Sequence, residues 1–217
     1  MRPLSEVSDG VRVGVVSDTH GFFDPFLKDV LAGVDIILHG GDVGSEEVLD
    51  ELNRIAPVHA VRGNVDSPDL DLPLSLKLSL ESLQVEMMHV LPVPQSVLEE
   101  WPDAMLPGGR APQRSEQFLA TFDEETGVVV FGHSHLPSLL TLGDRLFFNP
   151  GSAGKKRFDL PRCCGLLEIL RGRVRTSADG SLQRLPDRIR ASIELLEKYN
   201  GVLPPRIEMD IDTGGLP

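Results

Sequence analysis

Five short polar clusters, each directly after an apolar run, are the feature of this 217-residue chain that most constrains its fold. No helix can gather side chains at such long and irregular spacing. A sheet can, because the carboxyl ends of neighbouring parallel strands meet at one edge. The sequence therefore predicts that the clusters converge at such an edge. The clusters are Asp18-x-His20, Gly40-Gly41-Asp42, Gly63-Asn64, His89 and Gly132-His133-Ser134-His135.

The apolar runs before these clusters are short and mostly rich in β-branched residues, which is typical of buried strands. Two intervening helices are indicated by Asp24 with Pro25 and by Ser45, since these residue types are favoured where helices begin. The alternation predicts an α/β fold. The predicted strands are Val11–Val16, Asp35–Leu38, Val58–Val61, Val85–Met88, Val128–Phe131, Arg145–Phe148 and Leu166–Leu170, and the predicted helices are residues 23–31, 45–52 and 115–122.

The length of the chain and its 41% hydrophobic content are sufficient for one sizeable core. We expect a single domain over residues 1–217, with a core at about residues 11–175. Residues 176–217 are expected to form a C-terminal extension with a helix near Pro186 to Tyr199. This extension is a candidate for contact with a partner, although a surface helix with a loose end is the simpler interpretation.

The segment from Leu91 to Pro112 contains five prolines and the only tryptophan, Trp101. Long loops in compact domains are usually functional or disordered. We interpret this segment as an ordered flap beside the site, with a flexible insertion as the alternative.

Charge and composition limit the partners. A net charge of −12 opposes non-specific binding to nucleic acid, so we expect at most short oligonucleotides or nucleotides. No run approaches the ~20 apolar residues of a membrane span, and we expect a cytoplasmic protein. Adjacent Cys163 and Cys164 are interpreted as reduced buried thiols rather than a redox pair. The sequence leaves a homo-oligomer open.

Carboxylate, imidazole and amide groups together suit first-row transition metals better than Ca²⁺ or Mg²⁺. Two such ions ~3.5–4 Å apart can hold a phosphoryl group and generate hydroxide at neutral pH. A carboxylate that bridges them is the natural centre of this arrangement. Asp42 is the predicted bridge.

The order of these clusters is similar to that of the calcineurin-like metallophosphoesterase superfamily, and the detail resembles its small bacterial phosphodiesterase branch. One Asp-x-His pair is a weak signal, but five clusters in this order are a specific one. The resemblance spans residues 11 to about 170. The matching stretches are Val16–Gly21, His39–Asp42, Val61–Asn64, Phe131–His135 and Asn149–Ser152.

The resemblance implies a four-layer αββα sandwich with two central mixed sheets. It also implies a hydrolase that cleaves a small phosphodiester or phosphoester with a hydroxide held between two divalent transition-metal ions. Manganese is expected, with iron, nickel, cobalt or zinc as alternatives. By the same resemblance, Asp18, His20, Asp42 and His135 hold one metal, and Asp42, Asn64, His89 and His133 hold the other.

Two positions depart from the family pattern. Many superfamily members have a histidine after the Gly-Asn pair that aids the leaving group, whereas this chain has Val65. Because a positioned acid contributes ~10²–10⁴-fold, esters with poor leaving groups are expected to react slowly. His39 is a candidate proton donor, although a hydrogen-bonded histidine at a strand end is the simpler interpretation. Val90 replaces a common glycine after His89.

Asn64, Arg62 and Lys155 are predicted to contact the substrate phosphate, and Lys156 and Arg157 follow the same turn as Lys155. Solvated surface cations are the alternative interpretation of the basic residues. The alternative function is a catalytically weak, metal-binding scaffold for protein–protein interaction, because the retromer scaffold subunit has a similar fold.

Overall fold

The computed structural model describes residues 10–81, 83–93, 115–143, 145–157, 159–171, 174–176, 182–184, 188–196 and 207–212. Only residues 91–93 of the predicted flap are among them, and Trp101 lies outside the described residues. The helices are α1 (Leu27–Val30), α2 (Glu46–Asn53) and α3 (Ser115–Leu119), with a 3₁₀ turn at Pro68–Leu70. The strands are β1 (Gly10–Val16), β2 (Ile36–His39), β3 (Val58–Ala60), β4 (Ser75–Leu80), β5 (Leu83–Met88), β6 (Thr126–Val130), β7 (Ser138–Leu142), β8 (Arg145–Asn149), β9 (Cys163–Leu170), β10 (Val174–Thr176), β11 (Leu182–Arg184), β12 (Arg188–Leu195) and β13 (Ile207–Asp212).

Two large sheets form the centre of the fold. Six strands pair in the order β13-β12-β9-β1-β2-β3, and five pair in the order β4-β5-β6-β8-β7. Both sheets are mixed: β1, β2 and β3 run parallel, as do β5, β6 and β8, while the other neighbours are antiparallel. Strands β10 and β11 form a separate pair.

Three apolar clusters show that the molecule has four layers. One lies between the sheets, one lies between the six-stranded sheet and helices α1 and α2, and one lies between the five-stranded sheet and α3. The predicted αββα sandwich is therefore confirmed. The first cluster includes Val15, Leu38, Val85 and Phe148, the second includes Leu27, Ile37 and Leu52, and the third includes Phe118, Phe122 and Phe147.

Burial on both faces explains the near-continuous apolar character of the central strands. In β1, Val13 and Val15 contact the cluster between the sheets, while Val16 contacts the helix side. The carboxyl ends of β1, β2 and β3 meet the carboxyl ends of β5, β6 and β8. Contacts of His89 Nδ1 with Gly40 O at 2.8 Å and of Ser152 Oγ with Asp18 O at 2.9 Å join the two sheets there. The fold therefore brings six strand ends to one region.

The helices are shorter than predicted. Asp24 Oδ1 accepts a hydrogen bond from Phe26 N at 2.9 Å and so begins a turn, yet regular helix is confined to α1. Ser45 occupies the N-cap position of α2, but its side chain makes no capping hydrogen bond. Within the described ranges, no helix is long and apolar enough to cross a membrane.

The helix predicted near Pro186 to Tyr199 is wrong, because β12 occupies most of that segment. Ile189, Ala191 and Ile193 are buried between the sheets, and the intervening Arg190 is exposed. This alternation has the period of a strand rather than that of a helix. The predicted end of the core at about residue 175 was therefore too early, since β12 and β13 complete the six-stranded sheet.

The two cysteines lie at the start of β9. Both side chains are buried, and neither forms a disulfide. Burial raises the pKa of the Cys164 thiol well above its ordinary value. The expectation of reduced buried thiols agrees with this environment, because a protonated thiol is a poor nucleophile.

Candidate metal centre

The loops that follow β1 and β2 run side by side beyond the ends of their strands. Asp18 N donates to Gly41 O at 3.0 Å, and His20 N donates to Asp42 O at 2.9 Å. These bonds continue the parallel pairing of the two strands into the loops. Three predicted ligands, Asp18, His20 and Asp42, are thereby held at one edge of the six-stranded sheet.

A first group of ligand atoms joins the two sheets. His135 Nε2 lies 3.2 Å from Asp18 Oδ1 and 3.2 Å from His20 Nε2. Asp18 Oδ1 and His135 Nδ1 are buried and have no hydrogen-bond partner among the residues that the structure describes. Buried polar atoms are normally satisfied, so a carboxylate oxygen without a donor between two imidazoles indicates a cation site. Asp18, His20 and His135 therefore fit a divalent metal.

A second group lies beside the first. His89 Nε2 is 3.0 Å from Asn64 Oδ1 and 3.3 Å from Asp42 Oδ2. Asn64 Oδ1 is also 2.8 Å from His133 Nδ1. His89 Nδ1 lies 2.8 Å from the carbonyl oxygen of Gly40 and therefore carries the proton, which leaves Nε2 as the ligand atom. This donor set of amide, carboxylate and imidazole also fits a transition metal.

Asp42 lies between the two groups. Its Oδ2 is 3.3 Å from His89 Nε2 and 3.8 Å from His20 Nε2, and its Oδ1 accepts a hydrogen bond from Val65 N at 3.1 Å. Burial favours the neutral acid, but the contacts with His89 and Val65 N outweigh it and lower the pKa of Asp42 to about 2. The carboxylate is therefore ionised at neutral pH.

The pKa values of His20 and His89, the two histidines nearest Asp42, shift in opposite directions. Burial, with a contribution from the Arg157 guanidinium, lowers the pKa of His20. Burial also opposes protonation of His89, but its contacts with Asp42 and Asp18 outweigh that effect and raise its pKa. A neutral imidazole is the form that binds metal, so His20 is ready to act as a ligand at neutral pH.

Five of the seven predicted ligands adopt left-handed backbone conformations, which residues other than glycine seldom adopt. Each such conformation costs on the order of 1–3 kcal/mol and persists only where surrounding contacts enforce it. Strain of this kind is concentrated at functional sites. The five are Asp18 (φ 55°), His20 (φ 48°), Asp42 (φ 52°), His133 (φ 69°) and His135 (φ 58°).

The turn after Gly132 explains how His133 and His135 both contribute. Alternate residues of an extended strand point to opposite faces. Because both histidines have positive φ, the chain turns, and His133 contacts Asn64 while His135 contacts Asp18. Glycine is required at position 132 because a Cβ there would overlap Ser17 Oγ.

His39 is not placed as a proton donor to substrate. Its side chain has no exposed surface, its Nδ1 accepts from Gly41 N at 3.2 Å, and its Nε2 lies 2.9 Å from Thr19 Oγ1. Burial lowers its pKa to about 4. A neutral ring with both nitrogens engaged has no proton available at neutral pH. The simpler expectation, a hydrogen-bonded histidine at a strand end, describes this residue.

Of the three residues predicted to contact the phosphate, Asn64 alone belongs to one of the two ligand groups. Asn64 lies in the second ligand group and is exposed, so a substrate can reach it. Arg62 is half-buried, and exposed Lys155 lies 5.9 Å from the Phe22 ring centroid. Neither makes a hydrogen bond to a predicted ligand within the part of the chain that the structure describes. Arg157 lies near enough to lower the pKa of His20.

Asp66 holds two ligand loops together, a role that the sequence did not reveal. Its carboxylate accepts hydrogen bonds from Val43 N at 3.1 Å, Gly44 N at 2.7 Å and Gly63 N at 2.8 Å. The first two amides follow Asp42, and the third precedes Asn64. An acid three residues after Gly63 is the sequence signal for this role.

Solved structures with the same fold include Vacuolar Protein Sorting 29 from Cryptosporidium parvum, with a TM-score of 0.65 and 18% identity over 94% of this chain and 98% of that chain. Another is a Streptococcus pneumoniae protein described as a predicted phosphoesterase, with a TM-score of 0.59 and 20% identity over 93% of this chain and 98% of that one. At these identities the likeness shows the fold alone.

Two archaeal proteins are similar in sequence. A protein of Methanothermobacter thermautotrophicus named "Probable metallophosphoesterase" is 31% identical over 69% of this chain and 81% of its own length. A protein of Methanocaldococcus jannaschii with the same description is 32% identical over 70% of each. The profile described as "Calcineurin-like phosphoesterase superfamily domain" matches residues 11–172. The chain therefore belongs to the calcineurin-like phosphoesterase superfamily.

Proposed function

We propose that the protein is a metal-dependent phosphodiesterase that uses water as the nucleophile and forms no covalent intermediate. The observation that carries this proposal is the position of Asp42 Oδ2, which lies 3.8 Å from His20 Nε2 and 3.3 Å from His89 Nε2. One carboxylate oxygen is thus shared by two groups of ligands. Two metals held by these groups would supply Lewis-acid activation of water for attack on phosphorus and would stabilise the phosphoryl oxygens.

The proposed ligand sets follow the two groups. His20 and His135 belong to the first set and His89, Asn64 and His133 to the second. Nitrogen and oxygen donors without sulfur favour Mn²⁺, with Fe, Ni, Co or Zn as alternatives. The first metal would be held by Asp18, His20, Asp42 and His135, and the second by Asp42, Asn64, His89 and His133.

Asn64 has a second role in this proposal. Its Oδ1 faces His89 and His133 at 3.0 and 2.8 Å, so its Nδ2 group is left to donate to a phosphoryl oxygen. Arg157 raises the positive potential beside His20. We propose that Arg157, with Lys155 and Arg62, attracts the anionic substrate, since cations at the mouth of a site increase the local concentration of anions.

The surroundings of the second group favour a diester over a monoester. Val65 is 60% exposed and Val90 is 50% exposed, and each directly follows a predicted ligand. The second ester group of a diester can contact such apolar side chains, whereas the additional charged oxygen of a monoester cannot benefit from them. With Val65 in place of an acid, cleavage depends on a leaving group that departs without protonation.

A matched pair of substrates tests this preference. Bis(4-nitrophenyl) phosphate and 4-nitrophenyl phosphate release the same leaving group and differ in the second ester. With the Mn²⁺-loaded protein, we expect a higher kcat/KM for the diester. Turnover of the monoester alone would contradict the proposal. Release of 4-nitrophenolate, followed by absorbance, measures both reactions.

A protein-binding scaffold is the second candidate function. The fold likeness to Vacuolar Protein Sorting 29 favours it. Tight metal binding without turnover of either aryl ester would support the scaffold over the enzyme. A cytoplasmic location, a single domain, a homo-oligomer and action on nucleotides or short oligonucleotides stay predictions of the sequence.

A further inference from the structure

Asn149, at the end of β8, is fully buried, and both ends of its amide are hydrogen-bonded. Its Nδ2 donates to Gly132 O at 2.9 Å and to Ser134 Oγ at 3.1 Å, while its Oδ1 accepts from Gly151 N at 2.9 Å. Gly132 and Ser134 flank His133 in sequence. One side chain therefore fixes the chain on both sides of a predicted ligand.

The turn that Asn149 begins reaches the other sheet. Ser152 Oγ donates to Asp18 O at 2.9 Å, and Gly154 N donates to the same oxygen at 3.2 Å. Ala153 N donates to Ser17 O at 3.0 Å. The loop after β8 thus holds the backbone of Asp18, which is a predicted ligand at the end of β1.

The segments that these bonds hold are strained. His133, His135 and Asp18 have φ values of 69°, 58° and 55°. Conformations of this kind persist only where surrounding contacts enforce them. Hydrogen-bonding groups behind metal ligands typically change metal affinity by about 10–100-fold, because they fix the orientation of the ligands.

We propose that Asn149 and Ser152 are positioning residues that set the affinities of the two metals in different ways. Asn149 acts on both metals, because the loop that it holds supplies His133 to one set and His135 to the other. Ser152 acts chiefly on the metal of Asp18, because it reaches the second set only through the hydrogen bond that His133 N donates to Asp18 Oδ2 at 3.2 Å. This inference rests on the two-metal assignment of the proposed function.

Three single substitutions separate these roles. Asn149→Asp keeps the size of the side chain and an acceptor for Gly151 N, but it replaces the donor to Gly132 O with an oxygen that repels this carbonyl. Only the Ser134 hydroxyl can still pair with the new carboxylate, as a donor. Ser152→Ala removes the hydroxyl that holds Asp18 O. Ser138→Ala is the control, because Ser138 is buried and pairs with Asn149 across β7 and β8, yet its Oγ has no hydrogen-bond partner in the described part of the chain.

The measurement is a calorimetric titration of each metal-free full-length protein with Mn²⁺, together with its thermal unfolding midpoint. His20→Ala identifies the dissociation constant of the first site, and His133→Ala identifies that of the second. We expect Asn149→Asp to weaken both sites by about 10–100-fold and Ser152→Ala to weaken the first site by about 10-fold. The second site in Ser152→Ala should weaken less than the first, because Ser152 reaches it only through the hydrogen bond from His133 N to Asp18 Oδ2. Both sites in Ser138→Ala should stay within about twofold of the wild type.

Wild-type affinity at both sites in Asn149→Asp would overturn the role of that residue. Equal weakening of both sites by Ser152→Ala would overturn the separate assignment, as would the same loss in Ser138→Ala. If Asn149→Asp does not fold, Ser134→Ala removes one of its two acceptors and should still weaken both sites. Unchanged affinities in Ser134→Ala would then overturn the proposal. A wild-type stoichiometry below two Mn²⁺ per chain would instead contradict the proposed function.

Discussion

The carboxylate of Asp42 is in direct contact with the imidazole of His89, with 3.3 Å between Oδ2 and Nε2. The same oxygen lies 3.8 Å from His20 Nε2. His20 and His89 belong to different groups of ligands, so Asp42 is positioned to serve both. The proposed chemistry depends on this shared oxygen.

Replacing Asp42 with asparagine should remove metal and activity together. An amide cannot supply an ionised bridging oxygen, although its carbonyl oxygen would still accept the hydrogen bond from Val65 N. We expect a fall in kcat/KM on the order of 10³-fold, which corresponds to about 4 kcal/mol of transition-state stabilisation. Metal content after gel filtration, circular dichroism and aryl diester hydrolysis check the prediction. Asp29→Asn, an exposed change in α1, is the control, and wild-type activity in Asp42→Asn would disprove the bridging role.

Replacing Val65 with histidine should supply the missing acid. Val65 is exposed, and its backbone amide lies 3.1 Å from Asp42 Oδ1, so a histidine at this position lies beside the site. We expect kcat/KM for an alkyl diester with a poor leaving group to rise by about 10-fold or more, and that for the 4-nitrophenyl diester to change little. Equal effects on both substrates would mean that protonation of the leaving group does not limit the reaction. Leu74→His, at another exposed apolar position, is the control.

Asp66→Asn should destabilise the fold. The Asp66 carboxylate accepts hydrogen bonds from Val43 N, Gly44 N and Gly63 N, and an amide of the same shape offers only one accepting oxygen. Leaving one of these amides unsatisfied costs about 1–3 kcal/mol, so we expect a loss of that size. Urea unfolding of the metal-free protein measures it. A loss below about 0.5 kcal/mol, the size expected of a surface change such as Asp50→Asn, would contradict this role.

The buried His39 predicts a specific loss of stability in acid. Burial lowers its pKa from 6.5 to about 4, so between these values the unfolded chain binds more protons than the folded one. The free energy of unfolding should therefore fall as the pH falls through this window, by up to about 3 kcal/mol, and level off above pH 6.5.

The contribution of His39 can be isolated by urea unfolding of the metal-free wild type and of His39→Gln. Both proteins are measured across this pH window and about one unit above it. The variant cannot titrate at this position, so its stability should depend less steeply on pH, even if it is lower at neutral pH. Parallel pH profiles for the two proteins would contradict the assignment of His39 as a buried neutral histidine.

The sequence predicted those parts of the site that depend on strand ends. Asp18, Asp42 and Asn64 each follow an apolar run, and the parallel arrangement of the strands brings them to one edge. Chain order alone could not show which histidine contacts which acid. The distances that join His135 to Asp18 and His133 to Asn64 depend on left-handed turns, which glycine-rich sequence permits but does not specify.

The errors have physical causes as well. The segment of β12 contains residues that are acceptable in a helix, and its alternation of Ile189, Ala191 and Ile193 with polar residues becomes decisive only when β9 is available as a partner. No periodic pattern in the sequence indicates the roles of Asp66 and Asn149, because each residue acts through backbone groups of distant loops.

Hydrolysis of bis(4-nitrophenyl) phosphate by metal-stripped protein, with and without added Mn²⁺, tests the central claim most directly. His133→Ala is the paired control, since His133 contacts Asn64 in the second ligand group and is exposed enough for its loss to spare the core. The account predicts turnover that requires Mn²⁺ and is lost in the control. Tight Mn²⁺ binding without turnover, or equal turnover in His133→Ala, would contradict it.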